Sequence, residues 1–537
     1  MTIKKCRHYI FLAVYAVVLL FFCTQSSPLY KLNDSFDANA YFTMGKGMMN
    51  GFVPYKDLFD HKGPYLYFIY GIAYLISNSS FFGIFLFQSI FMTIVLTCSY
   101  KIARLFDFSE KKSMLLSMLV PISTLILTGP NEPINIGGSA DEFMMSIFAV
   151  ALYLIIKGIK SKAIYSKFEK EMFWIGVLSG VIVLIKFNFL LFVVGLLLPV
   201  FISLLKTPKH LFKLIMFALL GFVLSLIPYL IYGAVTSSLP DFVKAYFGFN
   251  VVYGLDSSPW YKRIAISVLS LYLYAKWDIA FFITAVISSI YCFYKVLKEK
   301  KDIVLYASIF LSFALVVFSV SLRLYYYAFI PVKLYFLFFF MIILRQIEGR
   351  AKLSNALKVI NNDVVVNYCI PCLLIAFTVV VNGFVFEETS KLYKGEAKTC
   401  QQKVSDIILA DSPENQTLLE ILSLDSGFYT QLGIIPRVKH FYKPNVGFSQ
   451  YEDVFLEQYE NVKNSSVAYV VTSKSVEQPD FEYDEAAETA DMNKGNAEAK
   501  IYNELLKNYS LVEQISGTGN NKSHRVYYLY KSESIVD

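Results

Sequence analysis

Long apolar runs alternate with short polar loops over the first 386 residues. Most of these runs approach the roughly 20 apolar residues that a membrane-spanning helix needs, and the pattern predicts about eleven spans. They cover residues 9–23, 82–102, 114–127, 143–156, 173–205 in two halves, a run ending at 232, a run starting at 278, 304–320, 329–344 and 364–386. Residues 9–23 are interpreted as an uncleaved first helix, because no small-residue cleavage site clearly follows them.

The apolar run 65–77 is shorter than the others. A helix of about 13 residues rises only ~20 Å, which is less than the ~30 Å of bilayer hydrocarbon. We therefore expect a helix in the outer interface, where its tyrosines suit the headgroup depth. With this placement the strongly basic loops fall on one side, which the positive-inside rule makes cytoplasmic. The N-terminus is then predicted inside and the first loop, residues 24–82, outside.

The tail from 387 to 537 has a different pattern. Short strand-like runs at 434–435, 467–471 and 526–530 alternate with polar, helix-like stretches, of which 499–509 is amphipathic. The tail carries 15 basic and 24 acidic residues, whereas residues 1–386 carry 34 and 18. This shift predicts a transmembrane domain at 1–386 and a small extracytoplasmic α/β domain at 387–537.

Composition supports the membrane interpretation. Hydrophobic residues make up 56% of the chain, charged residues only 17%, and the mean hydropathy is +0.49. A soluble protein of this length would carry roughly a quarter charged residues. The basic loops indicate contact with membrane lipids, not with nucleic acid.

The first outer loop is unusually rich in ionisable residues and glycines. Asp37, Tyr41 and Gly45 are spaced by four, so on a helix they share one face. A carboxylate there can take the proton of an attacking hydroxyl, and Asp37 is the leading candidate for this base. Asp34, three residues earlier, is an alternative base. The competing explanation for Asp37 is that it is only an acidic residue at the start of a helix, without a catalytic role.

Asp57, Asp60, His61 and Lys62 come just before Pro64 in the same loop. Pro64 suits the first turn of the interfacial helix. The four ionisable residues are candidates for binding substrate or its phosphate, with helix capping as the competing explanation. His61 could also ligate a metal, but the loops offer no second histidine at ligand spacing. A divalent metal is therefore an alternative that the sequence does not support, and no cofactor is assigned.

Further candidates lie in the later outer segments. Asp141 and Glu142 start a span, as catalytic acids or as helix caps. Lys186 interrupts the apolar run 173–205, which suggests that it faces a polar cavity. Arg323, with Tyr325 to Tyr327, lies on the same side. Lys186 and Arg323 are candidates for holding an anionic phosphate, with lipid-headgroup contact as the alternative for each, and Tyr325 is a further candidate for binding substrate.

Nucleotide-binding and common hydrolase motifs are missing from the sequence. An extracytoplasmic enzyme has little access to nucleotide-activated donors. A donor linked to a lipid phosphate in the bilayer would suit such a site.

These loops resemble those of the GT-C glycosyltransferases. The pattern Asp37-xxx-Tyr41-xxx-Gly45, followed by residues 50–55 and by His61-Lys62-Gly63-Pro64, is similar to the first outer loop of bacterial relatives of protein O-mannosyltransferases and of the aminoarabinose transferase that modifies lipid A. The residues around 141, 186 and 323–331 match the same layout. The chain departs from the mannosyltransferases at 61–64, where they have His-Pro-Pro, so a protein acceptor is not the first expectation.

The resemblance implies a GT-C fold: an all-α polytopic membrane protein with juxtamembrane helices. It implies a polyprenyl-phosphate-linked sugar as donor and an envelope glycan or lipid hydroxyl as acceptor. Asp37 would be the base, Asp141 or Glu142 the second-loop acid, and basic residues would hold the lipid phosphate. A lipid-linked sugar flippase and a non-catalytic envelope-assembly protein are the alternatives. A flippase would favour mid-membrane charges and repeated halves, which the sequence lacks.

Overall fold

The computed structural model describes residues 3–30, 32–126, 137–254, 259–298, 302–322, 325–348, 362–385, 398–411, 414–475, 482–518 and 524–534. The chain forms two compact units, each built from separate stretches of sequence. The helical unit comprises Met1–Ser27, Phe85–Tyr229 and Ser258–Phe386; the mixed unit comprises Pro28–Ile84, Leu230–Ser257 and Glu387–Asp537.

The helical unit contains, wholly or for the most part, the long apolar helices. Its α-helices are Ile3–Cys23, Phe82–Leu105, Glu110–Ile126, Ala140–Lys160, Glu169–Lys186, Leu190–Ser203, Pro208–Val235, Trp260–Trp277, Ile279–Lys298, Ile303–Ser321, Phe336–Glu348 and Ile370–Val385. Within the described ranges, six helical segments are long and apolar enough to cross a membrane. They are Phe82–Leu105, Ala140–Lys160, Glu169–Ser203, Pro208–Val235, Ile303–Ser321 and Tyr327–Glu348. The predicted class, an all-α multi-pass membrane protein, is confirmed; the total of about eleven spans stays a prediction.

The predicted break in the run 173–205 is present. Helix Glu169–Lys186 ends at Lys186, a 3₁₀ turn covers Phe187–Phe189, and helix Leu190–Ser203 follows. The Asn188 amide donates to Ser319 Oγ at 2.8 Å. This bond fixes the turn to a neighbouring helix of the same unit and offsets the backbone hydrogen bonds that the break removes.

Glycines allow two helices of this unit to approach closely. A Cβ atom on Gly176 would lie 1.9 Å from Ala218 O, and one on Gly221 would lie 2.0 Å from Phe173 O. Helices Glu169–Lys186 and Pro208–Val235 therefore meet backbone to backbone. Small residues at such contacts are the usual solution in lipid, where packing replaces the hydrophobic effect.

The mixed unit joins the first loop to the tail. Its helices are Phe36–Met49, Pro64–Ile76, Leu239–Phe242, Phe249–Gly254, Cys400–Asp411, Phe428–Leu432, Glu452–Lys463, Glu485–Thr489 and Ala497–Asn508. Four strands form one sheet in the order β1-β2-β4-β3: β1 (Leu418–Glu420), β2 (Tyr469–Ser475), β3 (Tyr509–Thr518) and β4 (His524–Ser532). β1 pairs parallel with β2, and the other pairs are antiparallel.

The tail's small α/β fold and its amphipathic helix agree with the sequence pattern. Strand β4 contains the run predicted at 526–530, and β2 begins within the run predicted at 467–471. Helices Ala497–Asn508 and Glu452–Lys463 pack on their apolar side. The strand predicted at 434–435 is wrong. These residues follow Gly433, whose φ of +73° ends the short helix Phe428–Leu432, and an isolated pair of apolar residues has no neighbouring strand to join.

Two helices of the first loop also pack through glycine. Helix Pro64–Ile76 has 13 residues and begins at Pro64, as predicted. A Cβ on Gly45 would lie 2.5 Å from Gly71 N and 2.7 Å from Tyr67 O. The third position of the Asp37-xxx-Tyr41-xxx-Gly45 pattern is therefore where helix Phe36–Met49 touches the backbone of its neighbour.

Candidate active site

Asp37 lies in the first turn of helix Phe36–Met49, which Ser35 caps by accepting a hydrogen bond from the Ala38 amide. The Asp37 side chain is half-buried, and its Oδ2 accepts a hydrogen bond from the Tyr41 hydroxyl at 3.0 Å. Tyr41 is buried, with its ring edge-on to Tyr70 at 5.6 Å. The predicted shared face is confirmed by this contact, and it leaves a partly accessible carboxylate in a fixed orientation.

Asp60 is buried and surrounded by donors. Its Oδ2 accepts from Tyr67 at 2.8 Å and its Oδ1 from Tyr442 at 2.6 Å, while His61 Nδ1 lies 3.2 Å from Oδ1. Burial alone would raise the pKa of this carboxyl. The nearby His61, and then Lys62 and Tyr442, outweigh burial and hold the pKa of Asp60 below 3.8. Asp60 is therefore a buried anion.

His61 connects Asp60 to Lys62. Burial, and then the Lys62 charge, lower the pKa of His61 from 6.5, so the imidazole is neutral at pH 7. Its Nε2 lies 2.9 Å from Lys62 Nζ. An ammonium can only donate, so Nε2 accepts and the ring proton is assigned to Nδ1, facing Asp60. The Lys62 ammonium lies 5.8 Å from the centre of the Tyr41 ring, beside the Asp37–Tyr41 pair.

The backbone of this segment is fixed by three further bonds. Tyr55 donates to Lys62 O at 2.7 Å, the Lys62 amide donates to Tyr67 Oη at 2.9 Å, and Asn250 Nδ2 donates to His61 O at 2.6 Å. The loop from Asp60 to Pro64 is thus held by side chains from both sides, which preorganises the ionisable groups it carries.

Asp57 lies apart from this group. It is exposed, and its Oδ2 accepts from the Val53 amide at 2.7 Å, closing a turn in which Tyr55 has a φ of 70°. Asp34, the alternative base, is half-buried just before the helix cap. Burial, and then the charge of Asp34, raise the pKa of the Tyr527 hydroxyl. The structure therefore brings Asp37, Tyr41, Asp60, His61 and Lys62 together and leaves Asp57 out.

The helical unit holds a second group of predicted residues. Lys186 Nζ lies 2.8 Å and 2.9 Å from the two oxygens of the buried Asp141. The ammonium also lies 5.2 Å from the ring centre of Phe189 and 5.9 Å from that of Tyr327. Tyr325 stacks on Tyr327 at 5.6 Å. The break after Lys186 thus places its charge against a carboxylate and aromatic rings.

Glu142 has a different environment from its neighbour. Its Oε1 accepts from the amides of Gly137, Gly138 and Ser139 at 3.0 to 3.1 Å, and its Oε2 accepts from Gln88. Ser139 and Glu142 form a reciprocal capping box. The Glu142 carboxylate caps the N-terminus of helix Ala140–Lys160, whereas the Asp141 carboxylate contacts Lys186.

Arg323 lies outside the described residues. Within the described ranges, His, Cys, Asp and Glu side chains nowhere form a group of three or more that could hold a metal ion. Sequence reasoning missed Tyr67 and the tail residue Tyr442 as members of the first group. Tyr67 follows Asp60 by seven residues and a contact was foreseeable; Tyr442 carries no local signal because it lies 382 residues away.

Comparison with known proteins gives one family match and distant structural matches. Residues 61–232 match the family model described as dolichyl-phosphate-mannose-protein mannosyltransferase. No curated protein matches the chain by sequence. The apo structure of ArnT from Cupriavidus metallidurans aligns with a TM-score of 0.57 at 12% identity, covering 98% of each chain. ArnT from the same organism bound to undecaprenyl phosphate aligns with a TM-score of 0.54 at 11% identity, covering 97% of each.

The two structural matches extend over nearly the whole chain, and at these identities they establish likeness of fold. The family match covers the end of the first loop, the Asp141 helix and the Lys186 break. In its fold and in this part of its sequence, the chain resembles the GT-C superfamily of membrane glycosyltransferases, as the loop motifs predicted.

Proposed function

We propose that the protein transfers a sugar, hexosyl or pentosyl, from a polyprenyl-phosphate-linked donor to a hydroxyl of a cell-envelope glycan or lipid. The GT-C resemblance supports the reaction class. The structural relative bound to undecaprenyl phosphate supports a polyprenyl phosphate as the carrier. The observation that carries the proposal is the half-buried Asp37 carboxylate, oriented by Tyr41 with the Lys62 ammonium alongside.

Asp37 is the general base of this proposal. Its carboxylate accepts the proton of the acceptor hydroxyl while that oxygen attacks the anomeric carbon. The new carbon–oxygen bond forms as the bond from the anomeric carbon to the phosphate oxygen breaks, and the lipid phosphate leaves with the electron pair. Tyr41 donates to Asp37 throughout, which keeps the carboxylate in one orientation.

Lys62 is better suited than Lys186 to meet the negative charge on the leaving phosphate. Lys186 is paired with both oxygens of Asp141, so its charge is largely compensated. Lys62 donates to a neutral imidazole, and its charge is coupled to Asp60 without a direct ion pair. A fixed cation that is hydrogen-bonded to a neutral group gives the larger stabilisation of a developing anion. Asp141 and Lys186, with Arg323 and Tyr325, are proposed to hold the donor in the membrane.

The positive-inside pattern supports a cytoplasmic N-terminus and an extracytoplasmic tail in the cell membrane. Donor and acceptor would then meet outside the cytoplasm. Labelling of cysteines introduced into the tail with an impermeant reagent in intact cells would test this orientation; protection of the tail would reverse it.

The reaction itself is tested in membranes of a deletion strain supplied with labelled polyprenyl-phosphate sugars. Wild type is compared with Asp37→Asn, which removes the base but keeps the shape. The matched control is Asp453→Asn, another first-turn aspartate, whose partner is the exposed Lys244. We expect label in an envelope fraction with wild type and the control, and a loss of at least about 100-fold with Asp37→Asn.

Unchanged labelling in Asp37→Asn, at equal expression, would transfer the role of base to Asp34 or Asp141. If wild type transferred nothing from any such donor, the flippase and assembly alternatives would replace the enzyme.

A further inference from the structure

The tail domain supplies a side chain to the ionisable group of the first loop. We infer that Tyr442 is a positioning residue for Lys62, acting through Asp60 and His61. The inference rests on the proposed function, in which Lys62 meets the lipid phosphate. It assigns the tail a part in transfer that is separate from any binding of the acceptor.

Tyr442 reaches the most buried member of the group. Its side chain is 3% exposed, Asp60 is 1% exposed, and the 2.6 Å bond between them is the shortest of the three contacts to this carboxylate given above. Burial, and then the charges of Asp60, Asp37 and Asp425, raise the pKa of Tyr442 far above 10. The hydroxyl therefore remains a protonated donor at every pH at which the protein is folded.

The bond from Tyr442 helps to keep Asp60 charged. A buried carboxylate ionises only when donors replace the water it has lost. Tyr67 supplies one oxygen with a donor and Tyr442 supplies the other. Without Tyr442, the carboxyl keeps a single hydroxyl donor, and its neutral form becomes easier to reach.

The charge on Asp60 determines the position of Lys62 through the tautomer of His61. An anionic Asp60, whose Oδ1 lies 3.2 Å from Nδ1, favours the imidazole proton on that nitrogen electrostatically, which leaves the Nε2 lone pair to accept from the Lys62 ammonium. If Asp60 were neutral or turned away, the proton could move to Nε2, where it would face the ammonium. Lys62 would then lose its acceptor and its fixed position beside Tyr41.

Other contacts hold the tail segment in place. The Phe59 amide donates to Lys439 O at 2.9 Å, and the Phe59 ring lies 4.8 Å from the His440 ring. On the neighbouring helix, Thr43 donates to Asp425 at 2.8 Å. Lys439 and His440 lie three and two residues before Tyr442, so the backbone that leads into Tyr442 is held against the first loop.

Tyr442→Phe removes only the hydroxyl. The matched control is Tyr509→Phe, another buried tail tyrosine, whose hydroxyl donates at 3.0 Å to Val467 O within the tail. Both variants lose one buried hydrogen bond, so a general loss of stability affects both. Full-length protein in detergent or membranes is used, and activity is expressed per folded molecule.

Transfer kinetics provide the first measurement. We expect Tyr442→Phe to lower kcat/KM for the lipid-linked donor about tenfold, whereas Tyr509→Phe keeps the wild-type value. An equal kcat/KM in Tyr442→Phe and Tyr509→Phe would overturn the inference while leaving the proposed function intact.

Lys62 itself provides a measurement that does not need transfer. Its labelling by an amine-directed reagent, followed by mass spectrometry, should be at least about threefold faster in Tyr442→Phe than in Tyr509→Phe, since an amine released from its hydrogen bond to His61 is more accessible to the reagent. Equal labelling rates would refute the coupling even if no donor were ever found. If Tyr442→Phe did not fold, Asp60→Asn is measured in its place, with the same expected directions and the same refuting results.

Discussion

The tail's buried acid Glu420 should make the mixed unit less stable as the pH rises. Its Oε1 accepts from the Ser423 hydroxyl at 3.1 Å and its Oε2 from the Ser426 amide at 3.0 Å. Burial, and then the charge of Asp425, raise the pKa of Glu420 to about 8. At pH 7 the folded protein therefore holds a proton on this carboxyl that the unfolded chain has released.

The sign of the pH effect follows from this difference in bound protons. Glutamate in an unfolded chain has a pKa of about 4.3, so from there to about 8 the folded state binds the extra proton. Stability is fully present below the unfolded pKa and falls as the pH rises through the folded one, by up to about 1.4 kcal/mol per pH unit. Between pH 5 and pH 8 the loss is on the order of 3 kcal/mol. Asp425, whose pKa burial raises to about 7, acts in the same direction.

Glu420→Gln removes this titration with little change of shape. At pH 5 the amide resembles the protonated acid, so wild type and variant should have similar stability. At pH 8 the variant should be more stable by a few kcal/mol. Glu513→Gln in β3, where the glutamate is exposed, is the matched control and should follow wild type.

Hydrogen exchange of the full-length protein measures the pH dependence of stability locally in the tail. β2 lies between β1 and β4 in the sheet, so its amides report the opening of the tail core. The opening free energy of β2, corrected for the intrinsic pH dependence of exchange, is compared at pH 5.5 and pH 8. If wild type and Glu420→Gln lost the same protection over this range, Glu420 would not be held protonated in the folded protein.

Two further predictions concern packing and buried charge. Gly45→Ala should destabilise the protein by about 1–3 kcal/mol and reduce transfer, because its Cβ would lie 2.5 Å from Gly71 N. The control is Gly248→Ala, whose Cβ would lie 3.7 Å from its nearest neighbour. Equal melting temperatures of the two variants would contradict the contact between the two helices at Gly45. Lys186→Met should cost about 3–5 kcal/mol by leaving Asp141 buried without its cation, and adding Asp141→Asn should restore most of it in thermal unfolding. If the losses of stability in Lys186→Met and Asp141→Asn simply added in the double variant, the two side chains would not stabilise each other.

Local features of the site were predictable from the sequence. The break at Lys186 was visible as a charge inside an apolar run, and the helix start at Pro64 follows from a preference of proline that needs no tertiary information. The Asp37–Tyr41 bond joins residues one helical turn apart, which is the spacing that periodicity describes. In each case neighbours in sequence are also neighbours in space.

The remainder depends on contacts that sequence spacing does not encode. The bonds of Tyr442 to Asp60 and of Thr43 to Asp425 each join residues 382 positions apart. Asp141 and Glu142 are equivalent by position, and only the neighbours that folding supplies, Lys186 for one and three backbone amides for the other, distinguish them. The domain boundary predicted at 386/387 remains untested, although residues 28–84 and the tail form one compact unit.

The distance along the chain between Asp60 and Tyr442 has a consequence for biosynthesis. At a translation rate of 5–20 residues per second, Tyr442 leaves the ribosome roughly 20–80 seconds after Asp60. Over that interval the intervening membrane helices are made, while the first loop still lacks the tail residues that cover it. The loop therefore remains incompletely folded, with its carboxylates in water. It acquires its final hydrogen bonds only when the last quarter of the protein has been synthesised.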